Sequence, residues 1–411
     1  MRVLFITLFG LFSTGLSAQS LDSLKIEAIQ NNPSVLASYH LFEAQLERVA
    51  QVNALPDPQL SAGVFIQPIE TRVGPQVAKV SISQMFPWFG TLSARGDAAA
   101  LQAEAAYAVF LNEKLTVTRN LEITYYEWLE WHESMTILQD DITLLERILN
   151  TAELQAEVGE ASLADVLRLQ IRIEDVKSNL NQLRNQEEVI LTKLRSHLNR
   201  VDSITIQLEV VPIDSMDYFI TWPVDSGIDN HPRISRFLSL RNSEISREEA
   251  AKKAGYPSIG LGLDYMFVNP RSDMSVPNSG QDAIMPMVSI SLPIFRSKYN
   301  ASIREAQLRQ NAYDYQSQNE ANAIRNEWEM VKFEWLYNLE EVRRLESNVD
   351  RASSTLRLLV SAYEADGADF NGVLEVEELL LKYRLEELSA KINLLKTKSQ
   401  LNYLLGENIE K

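Results

Sequence analysis

The chain has 411 residues and a formal net charge of −17, and it contains no cysteine. The negative charge argues against nucleic acid as a partner. The lack of cysteine excludes disulfide bonds, thiolate metal sites and a lipid-modified N-terminal cysteine. The four histidines do not share a helical face, so neither a histidine metal centre nor a bound cofactor is expected. They are His40, His132, His197 and His231.

The N-terminus has the three parts of a secretory signal peptide. Arg2 is followed by an apolar run over Val3–Phe12 and then by small residues that end at Ala18. This order predicts a signal peptide over residues 1–18 and export of a mature chain that begins at Gln19. No other apolar run approaches the roughly 20 residues that a transmembrane helix needs. Any contact of the mature chain with a membrane therefore requires another kind of structure.

The two halves of the chain repeat the same signals in the same order, about 200 positions apart. A unit of this length is far longer than a solenoid repeat and predicts an internal tandem duplication. We interpret residues 19–200 as the first structural repeat, 201–229 as an insert and 230–411 as the second repeat. The paired signals are Asn-x-Pro at 31–33 and 230–232, VSIS at 80–83 and 288–291, and glycine at 159 and 367.

Each predicted repeat begins with a helix of about 23 residues, which the Asn-x-Pro motif caps, and continues with two strands. In each strand apolar residues alternate with small or polar ones, as is typical of a half-buried strand. Each strand has the length of a tilted transmembrane β-strand. The predicted strands are Leu60–Pro68, Gln76–Met85, Ile259–Val268 and Ala283–Leu292.

Four strands cannot close a barrel, and open sheet edges are not tolerated in lipid. If these strands cross a membrane, several chains must therefore contribute to one barrel. The apolar side of each strand would then face lipid, and the candidate lipid-facing residues are Leu261, Leu263, Val288 and Ile290. The open alternative is a soluble four-stranded sheet that packs on the helices.

Very long helices follow each pair of strands, over Leu92–Val158 and Lys298–Asp366. The first has no internal glycine or proline after Gly96, and at 1.5 Å per residue it would be about 100 Å long. Each long helix ends at a glycine-containing turn and returns as a helix with coiled-coil spacing. The heptad residues are Leu169, Ile173, Val176, Leu180 and Leu183 in the first return helix and Leu381, Leu385, Leu388, Ile392 and Leu395 in the second.

Together these features resemble the TolC family of bacterial outer-membrane efflux proteins, over essentially the whole mature chain. The resemblance rests on the repeated Asn-x-Pro helix starts, the VSIS strand-to-helix junctions and the paired tips EVGEASLADVL (157–167) and EADGADFNGVL (364–374). The FPWFG version of the junction at 86–90 is similar to members that accompany heavy-metal cation pumps. The second tip departs from the first because it is one residue shorter and has Gly372 in place of Asp165.

The resemblance implies a mainly α fold with a small membrane β part. Four strands per chain would contribute to one twelve-stranded outer-membrane β-barrel in a homotrimer, continued in the periplasm by a long α-helical coiled-coil barrel. Residues 201–226 and the segment after about Gln400 would form an equatorial girdle. The implied partners are a periplasmic adaptor protein, an inner-membrane pump and outer-membrane lipid.

The resemblance also implies that the glycine-containing turns form the periplasmic tip. Val158, Gly159 and Gly367 are the candidate adaptor contacts.

A duct needs a constriction, and the resemblance places it near the same turns. Its candidate gate residues are Asp165, Asp369 and Glu375. Threefold symmetry would repeat each carboxylate as a ring, and charged rings select cations in pores. The open alternative is that these acids are solvated residues that the helix dipole favours near a helix start.

The predicted function is the outer-membrane duct of a tripartite efflux system of the RND type, or of a type I secretion system. The alternative is a soluble or peripheral periplasmic coiled-coil scaffold or pump adaptor. No nucleophile–base pair, phosphate loop or metal cluster stands out, so an enzyme is not expected.

Overall fold

The computed structural model of the chain describes residues 19–159, 161–200, 230–366 and 370–406. The predicted signal peptide and the predicted insert at 201–229 lie outside the described residues, and both stay predictions.

The described residues form eight helices and four strands. The helices are α1 (Leu21–Asn31), α2 (Pro33–Asn53), α3 (Thr91–Glu157), α4 (Leu163–Arg184), α5 (Glu187–Leu198), α6 (Pro232–Ala254), α7 (Arg296–Asp366) and α8 (Phe370–Leu405). The strands are β1 (Gln59–Ile69), β2 (Gln76–Phe86), β3 (Ser258–Val268) and β4 (Ala283–Ser291). The mainly helical fold with a four-stranded sheet is therefore confirmed.

Two features of the helices differ from the prediction. Helix α1 precedes the Asn-x-Pro motif, and its Ser20 cap accepts a hydrogen bond from the Ser23 amide. The first return helix is divided into α4 and α5 at Asn185 and Gln186, whose amides bond to carbonyls of the last turn of α4. The heptad spacing gives no sign of this break, because the apolar pattern continues in α5 at Ile190.

Local capping explains why α2 and α6 begin where they do. The Asn32 side-chain oxygen accepts from the Ser34 amide at 3.0 Å, so asparagine caps α2 as expected. In the second repeat the same position is His231, and its Nδ1 accepts from the Arg233 amide at 3.2 Å. A proline follows each cap at the first helical position, where its missing N–H costs nothing.

The chain forms two compact units, and each takes segments from both predicted repeats. The sheet unit contains the described residues 37–112 and 230–323. The helical unit contains 19–36, 113–200 and 324–406.

In the sheet unit, the strands form one antiparallel sheet in the order β1-β2-β3-β4. The register between β2 and β3 is regular over the central residues, where Ser81 lies opposite Asp264 and Ile82 opposite Leu263. The β1–β2 pairing shifts once, between Val64 and Ile69. The pairing of β2 with β3 joins the two predicted repeats in one sheet.

Small residues let the helices of the sheet unit pack closely. Ala94, Ala98 and Ala99 of α3 are buried. The Ser243 hydroxyl of α6 is fully buried and donates to the Ala98 carbonyl at 2.7 Å. A larger side chain than alanine would separate these two helices.

In the helical unit, apolar side chains from α3, α4, α7 and α8 form one continuous core. The predicted heptad of α4 points into it, since Leu169, Ile173, Val176 and Leu180 are all buried. The core residues are Leu138, Leu145, Ile148, Ala152, Val166, Leu169, Ile173, Val176, Leu180, Ala352, Leu356, Tyr363, Phe370, Val373, Leu380 and Leu381.

Candidate functional site

The strand register brings the apolar residues of all four strands onto one face of the sheet. Leu261 lies opposite Val288, and Ile259 lies opposite Ile290. Leu263, two residues along β3, points the same way and lies opposite Ile82 of β2. We call this surface the apolar face; its members are Leu60, Ala62, Val64, Ala78, Val80, Ile82, Ile259, Leu261, Leu263, Tyr265, Phe267, Ile284, Val288 and Ile290.

The four candidate lipid-facing residues are exposed in the single chain. Val288 is 71% exposed, Ile290 61%, Leu261 51% and Leu263 46%. So many adjacent exposed apolar side chains are typical of a surface that another apolar phase covers. That this phase is lipid stays a prediction.

The opposite face of the sheet carries polar, small and methionine side chains and is less exposed along β3. Asp264 is completely buried there and forms an ion pair with Lys79 of β2. Ser81 lies directly opposite Asp264. An ionised pair on this face fits a surface that meets water or the inside of a pore, and not lipid.

Aromatic residues occupy the junctions where strands lead into helices. Trp88 stacks on Tyr256 with ring centroids 5.2 Å apart, which fills the corner after β2. Phe89 and Phe295 remain largely exposed. The junction therefore contains both a packed aromatic corner and exposed aromatic side chains of the kind that lie at membrane–water interfaces.

The tip of the first hairpin follows α3. Val158 is 70% exposed, and Gly159 has a φ of 81°. An added Cβ at Gly159 would meet no atom within 4 Å, so glycine is required there by its backbone conformation and not by lack of space. The turn is closed by hydrogen bonds from Gly159 N to the Ala156 carbonyl and from Ala161 N to the Gln155 carbonyl, both 3.2 Å long.

The candidate gate residue Asp165 lies in the first turn of α4. Ser162 caps this helix by accepting from the Ala164 amide at 3.1 Å. The Asp165 carboxylate is half-buried and 3.8 Å from the Arg168 guanidinium. It also acts on Tyr363 of α7, whose pKa is raised by burial and, second, by the Asp165 charge. The helix-dipole interpretation and a role in a gate are both compatible with this position.

The second tip is described only in part. Glu375 is exposed on α8, within two turns of the start of that helix. The candidates Gly367 and Asp369 lie outside the described residues.

Two contacts that connect the hairpins near their tips were not foreseen from the sequence. The Gln155 side chain of α3 donates to the Tyr363 carbonyl of α7 at 2.9 Å. Arg168 of α4 donates to the Asn371 side chain of α8 at 2.8 Å. These contacts join residues more than 200 positions apart, and no local pattern indicates them.

A larger polar cluster in the helical unit was also missed. Asp141, Arg172 and Glu377 meet inside the core of α3, α4 and α8, where Arg172 binds Glu377 through two hydrogen bonds. A signal for it does exist in the sequence. Asp141 follows Leu138 by three residues and precedes Leu145 by four, so a charged residue stands at a heptad core position.

Comparison with known proteins fits this architecture. Residues 25–200 match the family model described as outer membrane efflux protein. Among solved structures, VceC from Vibrio cholerae has a TM-score of 0.74 at 17% identity, with 95% of this chain and 97% of that chain covered. The MtrE outer membrane channel of Neisseria gonorrhoeae has a TM-score of 0.74 at 19% identity, covering 95% and 89%. CusC has a TM-score of 0.76 at 17% identity, covering 94% and 92%.

Residues 25–200 are therefore similar to the outer membrane efflux proteins, and the chain has the fold of the matched outer-membrane channels. The family match covers most of the first repeat, and the fold likeness covers nearly the whole described chain. The predicted resemblance and the mainly helical fold with one four-stranded sheet are thereby confirmed, the outer-membrane location agrees with the same matches, and the trimer stays a prediction. The alternative of a soluble scaffold or adaptor is set aside. No curated protein matches the chain in sequence.

Two further findings concern the described residues. Among the described residues, no helix is long and apolar enough to cross a membrane. Within the same ranges, no group of three or more histidine, aspartate or glutamate side chains could hold a metal ion. The matched family model and the matched solved structures are those of outer membrane efflux proteins and channels.

Proposed function

We propose that three copies of this chain assemble into one outer-membrane efflux duct. Four strands from each copy form a twelve-stranded barrel, and the long helices form a tunnel through the periplasm. The observation that carries this proposal is the sheet, which has one exposed apolar face and ends in the two edge strands β1 and β4.

The edges explain why assembly is needed. In lipid, each unpaired backbone N–H or C=O group costs several kcal/mol, so an open sheet is not stable there. If β4 of one copy pairs with β1 of the next, a threefold rotation closes the ring and removes every edge. The apolar face then meets lipid, and the face that carries Lys79 and Asp264 lines the lumen.

The hairpin tips are the proposed contact with a periplasmic adaptor protein. Val158 is exposed at the first tip, beside the turn that Gly159 makes possible. Gly367 is the corresponding candidate at the second tip. Through the adaptor, the duct would receive substrates from an inner-membrane pump of the RND type or from a type I secretion system. The pump then determines which substrate the duct carries.

The test of this proposal uses the full-length protein. Cell fractionation should place it in the outer membrane, and native mass measurement in detergent should show three subunits. A monodisperse monomer in the soluble periplasmic fraction would contradict the proposal.

Disulfide trapping gives a sharper test, because the chain has no cysteine. A cysteine at Val64 of β1, combined with a scan of cysteines along β4, should yield covalent oligomers at one register. The matched control is a cysteine pair at Ile82 and Leu263, which lie opposite each other on β2 and β3. This control pair should link only within one chain.

A further inference from the structure

Two carboxylic acids lie inside the core of the helical unit. Asp141 of α3 is 4% exposed and Glu377 of α8 is 0% exposed. Their neighbours on the same helix faces are apolar, since Leu138 and Leu145 flank Asp141 and Val373 precedes Glu377 by one turn. An ionised carboxylate in such surroundings is costly unless it is paired.

Only one of the two acids has a strong cationic partner. Arg172 of α4 binds Glu377 with Nε to Oε2 at 2.9 Å and Nη2 to Oε1 at 3.1 Å. Asp141 instead lies beside the Glu377 carboxyl group, whose negative charge acts on it. The second Asp141 oxygen, Oδ2, is buried without a hydrogen-bond partner.

Two neighbouring buried carboxyl groups with one bidentate arginine favour a shared proton. A carboxylate can only accept a hydrogen bond, so two carboxyl groups can bond to each other only if one is protonated. Two like charges in direct contact inside a protein do not both ionise at ordinary pH. The charges that face the pair are the guanidinium groups of Arg172 and Arg384, and Glu378 acts on Arg172. Their positive charge disfavours a metal cation at the same place.

We propose that Asp141 and Glu377 form a buried proton-binding site that couples the packing of α3, α4 and α8 to pH. With one proton bound, the pair carries a single negative charge, which Arg172 balances. Without that proton, the two carboxylates repel each other across the boundary between α3 and α8. The packing of the two hairpins in the helical unit then loosens.

The pKa of Asp141 in the folded chain determines how stability changes with pH. Burial, and second the Glu377 charge, raise the pKa of Asp141 from the ordinary 3.8 to about 8, while Arg172 and Arg384 act in the opposite direction. Between these two pH values, the folded chain therefore keeps a proton on Asp141 that the unfolded chain has released. The stability of this packing falls as pH rises from about 4 to about 8 and changes little above that range.

A surface groove lies about one helical turn from the site. A groove of about 610 Å³ on the helical unit is lined by Leu144, one turn along α3 from Asp141, and by Arg384. On this proposal, protons reach the site from the side of this groove without unfolding of the helices. The occupancy of the site would then follow the pH of the compartment that surrounds the helices.

Infrared spectroscopy of the full-length protein in detergent tests the site directly. A protonated carboxylic acid has a C=O stretch distinct from that of a carboxylate. Wild type should show this band near neutral pH and lose it on alkaline titration. Asp141→Asn should lack the band, whereas Asp140→Asn should keep it, because Asp140 is the exposed neighbour on the same helix. Equal bands in wild type and Asp141→Asn would overturn the proposal.

Amide hydrogen exchange tests the coupling to packing. Wild type and Asp141→Asn are compared at the same pH, so that the intrinsic exchange rate cancels. In wild type, peptides around 141 and 377 should exchange faster than in the variant at alkaline pH, and the difference should vanish at acid pH. The absence of any pH-dependent difference would contradict the proposal. So would restoration of slow alkaline exchange by added Ca²⁺ or Mg²⁺, because that would show a metal site.

Discussion

Leu261 and Val288 lie directly opposite each other on β3 and β4, and both side chains are more than half exposed on the apolar face. One residue further along β4, Ser289 lies opposite Gly260 on the other face. Val288 and Ser289 are therefore adjacent along β4 but lie on opposite faces of the sheet. The same substitution can therefore be tested on each face of the sheet.

Arginine at Leu261 and arginine at Ser289 should have unequal effects, because the two side chains lie on opposite faces of the sheet. Leu261→Arg places a charge on the apolar face and should destabilise the membrane part by about 2–4 kcal/mol if the site is near the bilayer midplane. Ser289→Arg points to the polar face and should be mild. Urea-induced unfolding of the protein in lipid vesicles measures both. Equal tolerance of the two substitutions would show that the apolar face does not meet lipid.

The ion pair of Lys79 and Asp264 gives a second prediction. Lys79→Met should destabilise the sheet, because it leaves the buried Asp264 carboxylate without its cation. Adding Asp264→Asn to that variant should restore part of the loss, since no unpaired charge remains. The dissociation temperature of the assembled protein measures the effect. A double variant less stable than Lys79→Met alone would show that the Lys79 charge is not what Asp264 needs.

Much of the fold follows from local pattern. Alternation of apolar and polar residues locates the four strands, and the heptad of Leu169, Ile173 and Val176 identifies a buried helix face. The partners of the strands do not follow from alternation, because the same period allows several registers. The pairing of Ile82 with Leu263, 181 positions later in the chain, is determined by the tertiary fold.

Less of the candidate site could be foreseen. Gly159 can be predicted as a turn because it interrupts a long helical pattern, and its positive φ agrees with this prediction. The contacts of Gln155 with Tyr363 and of Arg172 with Glu377 depend on how two distant hairpins pack. Charged residues at heptad core positions, such as Asp141, indicate that a buried partner exists but not which residue it is.

The ion pair of Arg172 and Glu377 in the helical core gives a third prediction. Glu377→Gln removes one charge of the bidentate pair with Arg172 and should cost about 1.5–3 kcal/mol, the range for hydrogen bonds to charged groups. The matched control is Glu378→Gln on the exposed side of the same helix, which should change stability by less than about 0.5 kcal/mol. Urea titration followed by circular dichroism distinguishes them. Similar losses in both variants would show that the buried pair has no special role in packing.

The last prediction concerns the acids near the proposed constriction. In a trimer, each exposed Glu375 would be present three times around the axis, and the same holds for Asp165 and Asp369. If at least one of these forms an inward ring, its charge attracts and holds multivalent cations. If all are solvated residues near helix starts, their removal changes only local helix stability.

Planar-bilayer recordings decide between these alternatives. Asp369→Ala combined with Glu375→Ala should change the single-channel conductance and weaken block by multivalent cations, because a ring of carboxylates would lose its charge at the narrowest point. Glu153→Ala is the control, since it removes one exposed carboxylate from the same end of α3, and it should leave block unchanged. Native mass measurement must show that each variant still assembles as the wild type does. Unchanged conductance and block in a correctly assembled double variant would leave the helix-dipole interpretation for these two acids, and Asp165→Ala would then test the remaining candidate in the same assay.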